Sequence, residues 1–361
     1  DEDAIVVDSY TNISGSFLPM QVLVHRRDLY NDSENPLYLA GGFTPILGAS
    51  GILQDHADRV LNLENIHAKV GGWHRDEIKK ATYEKPLNLL IYYGWLNSFN
   101  SATLGWNNES VAKELANYNI LILGAGLEDP AHGDYANTVI IIPRVKALNP
   151  NCKIFGYVTT NQSLNDFQTK AGRWNTLQVN GIFMDESGYD YGTVPTNGRD
   201  AFNTKVTYVH GLSYAKLCFV NAWNMNHIIG TTNDVSYPNS TWNTASGAST
   251  LTEDDYYLLE SFGINTTAYA GTNGYEPKAA WLTRGDLAIA NRYIYGINLI
   301  GCGIINNANA NAQKLFNFGY VSAAMFALEG WGTSDTSYAS GSAAVRFWYR
   351  QNVHGLSLWD V

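Results

Sequence analysis

Between residues 87 and 335, short apolar runs alternate with stretches of helical spacing, and this alternation restricts the fold more than anything else in the chain. The runs are Leu87–Tyr93, Ile120–Leu123, Lys153–Val158, Gly181–Asp185, Lys216–Val220, Tyr256–Leu259, Leu299–Ile305 and a last one between Glu329 and Asp335. Apolar runs this short, closed by Gly, Asn or Pro, read as buried strands rather than helices. Between them, Ser110–Tyr118, Tyr135–Leu148, Leu164–Leu177, Arg199–Leu212, Lys278–Tyr295 and Ala312–Leu328 read as helices. Strands separated by helices imply a parallel sheet with the helices outside it. Eight such units over about 250 residues match a (β/α)8 TIM barrel, an α/β fold. A doubly wound open sheet is the rival, and it would usually hold fewer strands.

Composition narrows the partners. The 361 residues are 45% hydrophobic and only 16% charged, so Asn, Thr, Ser and Tyr must make the surface polar. The net charge is −10, and no basic stripe of the kind a nucleic acid requires is present. An acidic site facing a neutral or cationic substrate fits that balance. Cys152, Cys218 and Cys302 are far apart and show no metal-ligand spacing, so they read as small buried hydrophobes. No apolar run reaches membrane-spanning length, and Asp1-Glu2-Asp3 does not open a signal peptide. Phosphate-loop, dinucleotide and Gly-x-Ser-x-Gly patterns are absent, so no cofactor or metal is expected.

The first 84 residues follow a different style. Ile5-Val6-Val7 and Val22-Leu23-Val24 read as short strands, Leu53 to Leu61 and Trp73 to Lys80 as short helices, and Gly41-Gly42 and Gly48 to Gly51 as turns. This portion is expected to serve attachment or oligomerisation, ahead of a barrel over 85–340 and a tail, 341–361, packed on the barrel or on the N-terminal portion. His25, His56, His67 and His74 fall in it at no metal-ligand spacing. Residues 224–255 form a long polar connection, expected to lie over the barrel mouth.

Chemistry gathers where the strands end. Gly181 to Asp185 stops in Asp185-Glu186, and the sixth strand stops in Glu260. Glu128 and Asp129, Asn221 and Asp335 follow other strands, and in a barrel all these ends share one face. Glycosidic hydrolysis needs two carboxyl groups, a proton donor and a nucleophile or base. Strands four and six are near neighbours in such a ring, so Asp185 and Glu260 can face one another across a sugar. Side chains alternate along a strand, so Asp185 and Glu186 start in opposite directions, and a turn at Ser187-Gly188 is needed to bring both into a cleft. Tyr93, Trp95, Trp106, Tyr189, Trp223 and Tyr269 belong to the same face as sugar platforms or as a plug, and His132 offers a further acid–base group.

These residues resemble a known group. Leu90-Ile91-Tyr92-Tyr93-Gly94-Trp95, Ile120 to Gly124 followed by His132, Phe155-Gly156-Tyr157-Val158, Gly181 to Glu186, Val220-Asn221-Ala222 and Glu260-Ser261 follow the order of spherulin 4-like glycoside hydrolases. The endo-α-1,4-polygalactosaminidases look similar. The resemblance covers about residues 87–335, and the Asp-Glu motif with its flanks carries most of it. It implies a (β/α)8 fold, cleavage of a galactosamine-containing polysaccharide, and catalysis by Asp185, Glu186 and Glu260. Tyr93, Trp95, Glu128, His132, Tyr189, Asn221, Trp223 and Asp335 complete the expected substrate site. The Gly-rich, low-charge N-terminal style resembles a phage tail fibre or tailspike, which implies a virion or extracellular setting, a homotrimer, and other virion proteins as partners. Two alternatives stand beside the hydrolase: a non-catalytic receptor-recognition protein that binds glycan, and a purely structural virion component.

Overall fold

The computed structural model describes residues 4–13, 16–25, 86–102, 107–229, 248–265, 274–276, 296–326 and 328–340, together with parts of 281–288 and 343–355. Near the start of the chain, β1 (Ala4–Ile13) and β2 (Ser16–His25) form an antiparallel hairpin with Ala4 opposite His25 and Ile13 opposite Ser16. Eight strands follow: β3 (Leu87–Tyr92), β4 (Ile120–Leu123), β5 (Lys153–Thr159), β6 (Gly181–Asp185), β7 (Leu217–Asn221), β8 (Tyr256–Leu259), β9 (Asn298–Ile304) and β10 (Gly330–Ser334). Each pairs in parallel with the next, and β10 pairs back onto β3, which closes the ring. The last strand, β11 (Val353–Gly355), pairs antiparallel with β1, so the two ends of the chain share a three-stranded sheet.

The alternation of side chains along the strands divides the core in two. Leu89, Ile91, Ile120, Ile122, Phe155, Phe183, Phe219, Tyr256, Leu258, Ile300 and Cys302 fill the ring. The alternate residues, among them Leu90, Leu121, Ile154, Ile182, Met184, Val220 and Tyr257, face the surrounding helices. Those helices are α1 (Asn108–Leu115), α2 (Tyr135–Leu148), α3 (Leu164–Thr176), α4 (Arg199–His210) and α5 (Ala312–Met325). Their starts follow local chemistry. Asn107 accepts from Ser110 N at 2.9 Å and closes a capping box for α1, and Ser163 accepts from Asp166 N to cap α3. Gly156 on β5 lets the Trp174 ring of α3 lie against the strand, because a Cβ there would stand 2.1 Å from that ring. The buried indole then donates to Tyr157 O at 3.1 Å.

The (β/α)8 barrel expected from the alternation is the fold observed. The described residues of 281–288 are helical, within the helix expected over Lys278–Tyr295. The N-terminal strands are longer than their apolar triplets suggest. Pairing across the hairpin carries β1 through Asp8, Ser9, Thr11 and Asn12, where main-chain bonding rather than apolar patterning sustains the strand. The helices expected at 53–61 and 73–80, His56, His67, His74, Trp106 and Tyr269 lie outside the described residues, as does 230–247 of the long polar connection. The described part of that connection holds a short 3-10 turn, Met225–His227. Beyond β10, Ala343 is buried in the main core and Trp348 stacks on Phe316 of α5 at 5.3 Å. No helix among the described residues is long and apolar enough to cross a membrane.

Candidate active site

The alternation that fills the ring also decides what reaches its mouth. Two residues beyond Phe183, Phe219 and Leu258 along their strands stand Asp185, Asn221 and Glu260. All three therefore keep the inward phase and form the next layer above the apolar filling. Beneath them, Phe155, Phe183, Phe219 and Tyr256 pack edge-on or tilted at centroid distances of 5.2 to 5.6 Å. That plug limits water to one side and leaves the carboxylates in a low-dielectric floor.

Asn221 joins the two acids. Its side-chain nitrogen donates to Asp185 Oδ1 at 2.8 Å and to Glu260 Oε2 at 3.0 Å. Asp185 also accepts from the backbone N–H of Glu186 at 2.9 Å and from the Tyr157 hydroxyl. Burial pushes the Asp185 carboxyl above its ordinary range, and repulsion from Glu260 adds to this, while the three donors pull the other way. The Tyr157 hydroxyl is itself pushed up by burial and by the Asp185 charge, so it stays a donor.

Both acidic strand ends break out of the strand conformation in the same manner. Glu186 has φ 54° and Ser261, just after Glu260, has φ 53°. Left-handed backbone costs non-glycine residues on the order of 1 kcal/mol and persists where surrounding bonds impose it. At Glu186 the carbonyl accepts from Thr160 Oγ1 at 2.8 Å and from Asn197 Nδ2 at 2.5 Å. The turn expected at Ser187-Gly188 thus occurs one residue earlier, at Glu186 itself. It swings that side chain to the mouth, where its Oε2 accepts from Thr159 Oγ1 at 2.6 Å. Lys205, fully buried on α4, braces the same corner. Its ammonium donates to the carbonyls of Thr160, Gln162 and Thr196 at 2.5, 3.2 and 2.7 Å, and burial lowers its pKa to about 8.

Asp185, Glu186 and Glu260 line one cavity of about 200 Å³ with Tyr93, Tyr191, Asn221, Ser334 and Tyr338. Among the described residues, its walls include three carboxylates and no Lys, Arg or His. Tyr93 meets Tyr157 and Tyr338 edge-on at 5.2 and 5.6 Å.

Of the other residues expected here, several have different surroundings. Glu128 is buried, its Oε2 accepts from Gly126 N at 2.8 Å, and burial raises its pKa, so it braces the turn after β4. Tyr189 is also buried, stacked on His227 at 4.5 Å, because the turn at Glu186 sends the following residues back under the rim. Asp335 accepts from Asn307 N at 2.8 Å and from Ser337 N at 2.9 Å, which ties two loops together. None of these three lines the cavity. His132 and Trp95 meet edge-on at 4.8 Å on the rim, and Trp223 carries the Arg284 guanidinium 3.7 Å above its ring; these also stand outside the cavity wall. Tyr157, Tyr191 and Tyr338 were missed from sequence. Only Tyr157 carried a usable signal, since it is in phase with inward Phe155.

A second cluster lies at the other end of the ring. His210, Cys218 and Asp255 bring possible ligand atoms within 4.8 Å of one another. Asp255 already accepts from His210 Nε2 at 3.0 Å, Cys218 N at 2.7 Å and Thr252 N at 2.7 Å, and burial pushes the Cys218 thiol well up. A carboxylate so engaged beside a protonated thiol suits a structural tie better than a metal.

No family model matches this chain, and no curated protein matches it. Solved structures of similar shape include a GH5-4 broad specificity endoglucanase from Clostridium longisporum, at 10% identity, covering 72% of this chain and 87% of that one with a TM-score of 0.41. XacCel5A in complex with cellopentaose is 11% identical over 69% of this chain and 89% of that one, with a TM-score of 0.39. The carboxyl transferase domain of Rhizobium etli pyruvate carboxylase is 12% identical over 73% of this chain and 42% of that one, with a TM-score of 0.40. Proteins of such different chemistry, at these levels of likeness, carry no argument about the reaction here.

Proposed function

We propose that this protein is a glycoside hydrolase that cleaves a polysaccharide, with Asp185 as nucleophile and Glu260 as general acid and base. The observation that carries the reading is the single Asn221 amide shared by both carboxylates. Two oxygens bonded to one nitrogen at such lengths lie no more than about 6 Å apart. Carboxyl groups about 5–5.5 Å apart suit a double displacement through a covalent glycosyl intermediate, whereas inverting pairs stand about 6.5–9.5 Å apart. Asp185, held by three donors, is the oriented anion that attacks the anomeric carbon. Glu260 protonates the leaving oxygen and then deprotonates the incoming water. Burial and repulsion from Glu260 raise the Asp185 carboxyl, and the Asn221, Glu186 and Tyr157 donors work against both, which favours the anion that attack needs.

The third carboxylate supports a finer reading. Catalysis needs two acids, and Glu186 is a third carboxylate in the cavity wall, where none of the described lining residues is a Lys, Arg or His. A free amino group on the sugar would meet it there, which agrees with the galactosamine polymer implied by the resemblance to spherulin 4-like hydrolases. A place on a phage tail fibre or tailspike, with a trimeric assembly, rests only on the style of the first 84 residues.

Reducing-end release from a partly de-N-acetylated galactosaminan tests the proposal. The wild type should release reducing ends, and Asp185→Asn should lose at least 100-fold of that rate, a typical share for such a group. Equal rates in the two would remove Asp185 from the mechanism. Binding of the polymer without product from the wild type would leave glycan recognition as the function.

A further inference from the structure

We infer that Trp95 and Trp223 are sugar-stacking platforms on opposite sides of the mouth, so that the site takes a polysaccharide laid across the barrel rather than a chain end. This rests on the glycan reading above and adds the extent and direction of the bound chain.

The ring order supplies the geometry. Trp95 follows β3 by three residues and Trp223 follows β7 by two, and β3 and β7 are four places apart in a ring of eight. The two indoles therefore rise from diametrically opposed strands at the same end of the barrel. An eight-stranded ring is roughly 15 Å across at its backbone, the length of about three or four linked hexoses. The Asp185–Asn221–Glu260 layer lies between the two, on the Trp223 side, since β6 and β8 flank β7.

Both rings are half in water and neither is loose. Trp95 is 42% exposed and Trp223 is 41% exposed. At Trp95, His132 meets the ring edge and Gly133 passes close beneath it, where a Cβ would lie 3.6 Å from the indole. The backbone below is anchored as well. Tyr92 Oη donates to Trp95 O at 2.9 Å, and Leu96 N donates to buried Asp134 at 2.5 Å. At Trp223, the Arg284 guanidinium lies 3.7 Å from the ring centre and also donates to the backbone carbonyl of Glu260. One cation thus braces the platform and the proposed acid together. An indole fixed in place and left wet keeps apolar surface exposed to water, which is unfavourable. The C–H face of a hexose can cover that surface while its hydroxyls stay in water, and a pre-placed ring loses little entropy on doing so. Stacking of this kind is indifferent to which hydroxyls the sugar carries, so it lengthens the bound chain and leaves selection to Glu186. Tyr191, 40% exposed and part of the cavity wall, stands at the rim beside β6.

Calorimetry with the Asp185→Asn protein and α-1,4-linked galactosamine oligomers of graded length, from dimer to octamer, tests the inference. Affinity should climb with length until the chain reaches both platforms. Trp223→Ala should weaken every length about tenfold, and Trp95→Ala should weaken only the longer oligomers, to the level of the short ones. Trp→Phe at either position should keep the length dependence, which separates loss of the platform from loss of the fold. Affinity independent of length, failure to bind any oligomer, or parental binding by either alanine variant would overturn the platforms. The two readings fail separately. Length-dependent binding by a wild type that releases no reducing ends retires hydrolysis and keeps the platforms. Reducing-end release with length-independent binding does the reverse.

Discussion

The side-chain amide of Asn221 lies 2.8 Å from the carboxylate of Asp185, and this bond opposes the burial that pushes the acid's pKa up. In the proposed mechanism, attack requires the Asp185 anion. Replacing Asn221 by Ala removes a donor that lowers the pKa, so the acidic limb of kcat/KM should move to higher pH. The maximum should also fall by roughly 10–100-fold, because both carboxylates lose their common anchor. A pH–rate profile of the variant checks both effects. An acidic limb left in place would show that Asp185 does not govern it.

Glu186 should govern which sugars are accepted. Glu186→Gln keeps the bond from Thr159 Oγ1 possible and removes the charge. Turnover of a free-amine polymer should drop by roughly 10–100-fold, the worth of a charge-assisted bond, while a fully N-acetylated polymer is turned over as before. Parallel kcat/KM values on the two polymers read this out. An equal drop on both would assign Glu186 to catalysis instead.

At the far end of the barrel, the hydrogen bond from His210 to Asp255 raises the histidine pKa. A raised histidine stabilises the fold fully below its unfolded value of about 6.5, and that contribution is lost as pH rises through the folded value. Wild-type protein should therefore lose more stability than His210→Gln between pH 6 and pH 9, by on the order of 1 kcal/mol. Urea midpoints at the two pH values measure it. Parallel losses would mean that the pair carries no net charge interaction.

Gly156→Ala should be among the costly single-methyl changes in this chain. The added Cβ would stand 2.1 Å from the Trp174 ring, which is fully buried and tied by its own hydrogen bond. Overpacking of this type costs about 1–3 kcal/mol, which urea melts would detect. A neutral effect would mean that α3 shifts outward freely.

The strand ends were readable because the signals are local. A run such as Ile120–Leu123 or Tyr256–Leu259 declares itself by apolarity and length, and eight of them with helices between leave little choice of architecture. The i, i+2 rule even places Asp185 and Glu260 on the inward phase once Phe183 and Leu258 are known to be inside. Residues in turns gave no such signal. Tyr189 and Tyr338 look alike in sequence, yet the left-handed backbone at Glu186 sends one under the rim, and the chain after β10 brings the other over the cavity.

Residue order alone, then, determined the barrel and the acids that crown it, since period and polarity along a strand depend only on neighbours in the chain. Tertiary structure decided that Asn221 would bond both acids, that Glu186 would join them as a third, and that Arg284 would lie on Trp223. The Asn221 and Arg284 contacts join groups tens of residues apart, and Glu186 reaches the cavity only through the left-handed turn in its own backbone. They depend on ring closure and on a few torsion angles at strand ends, which no local pattern specifies.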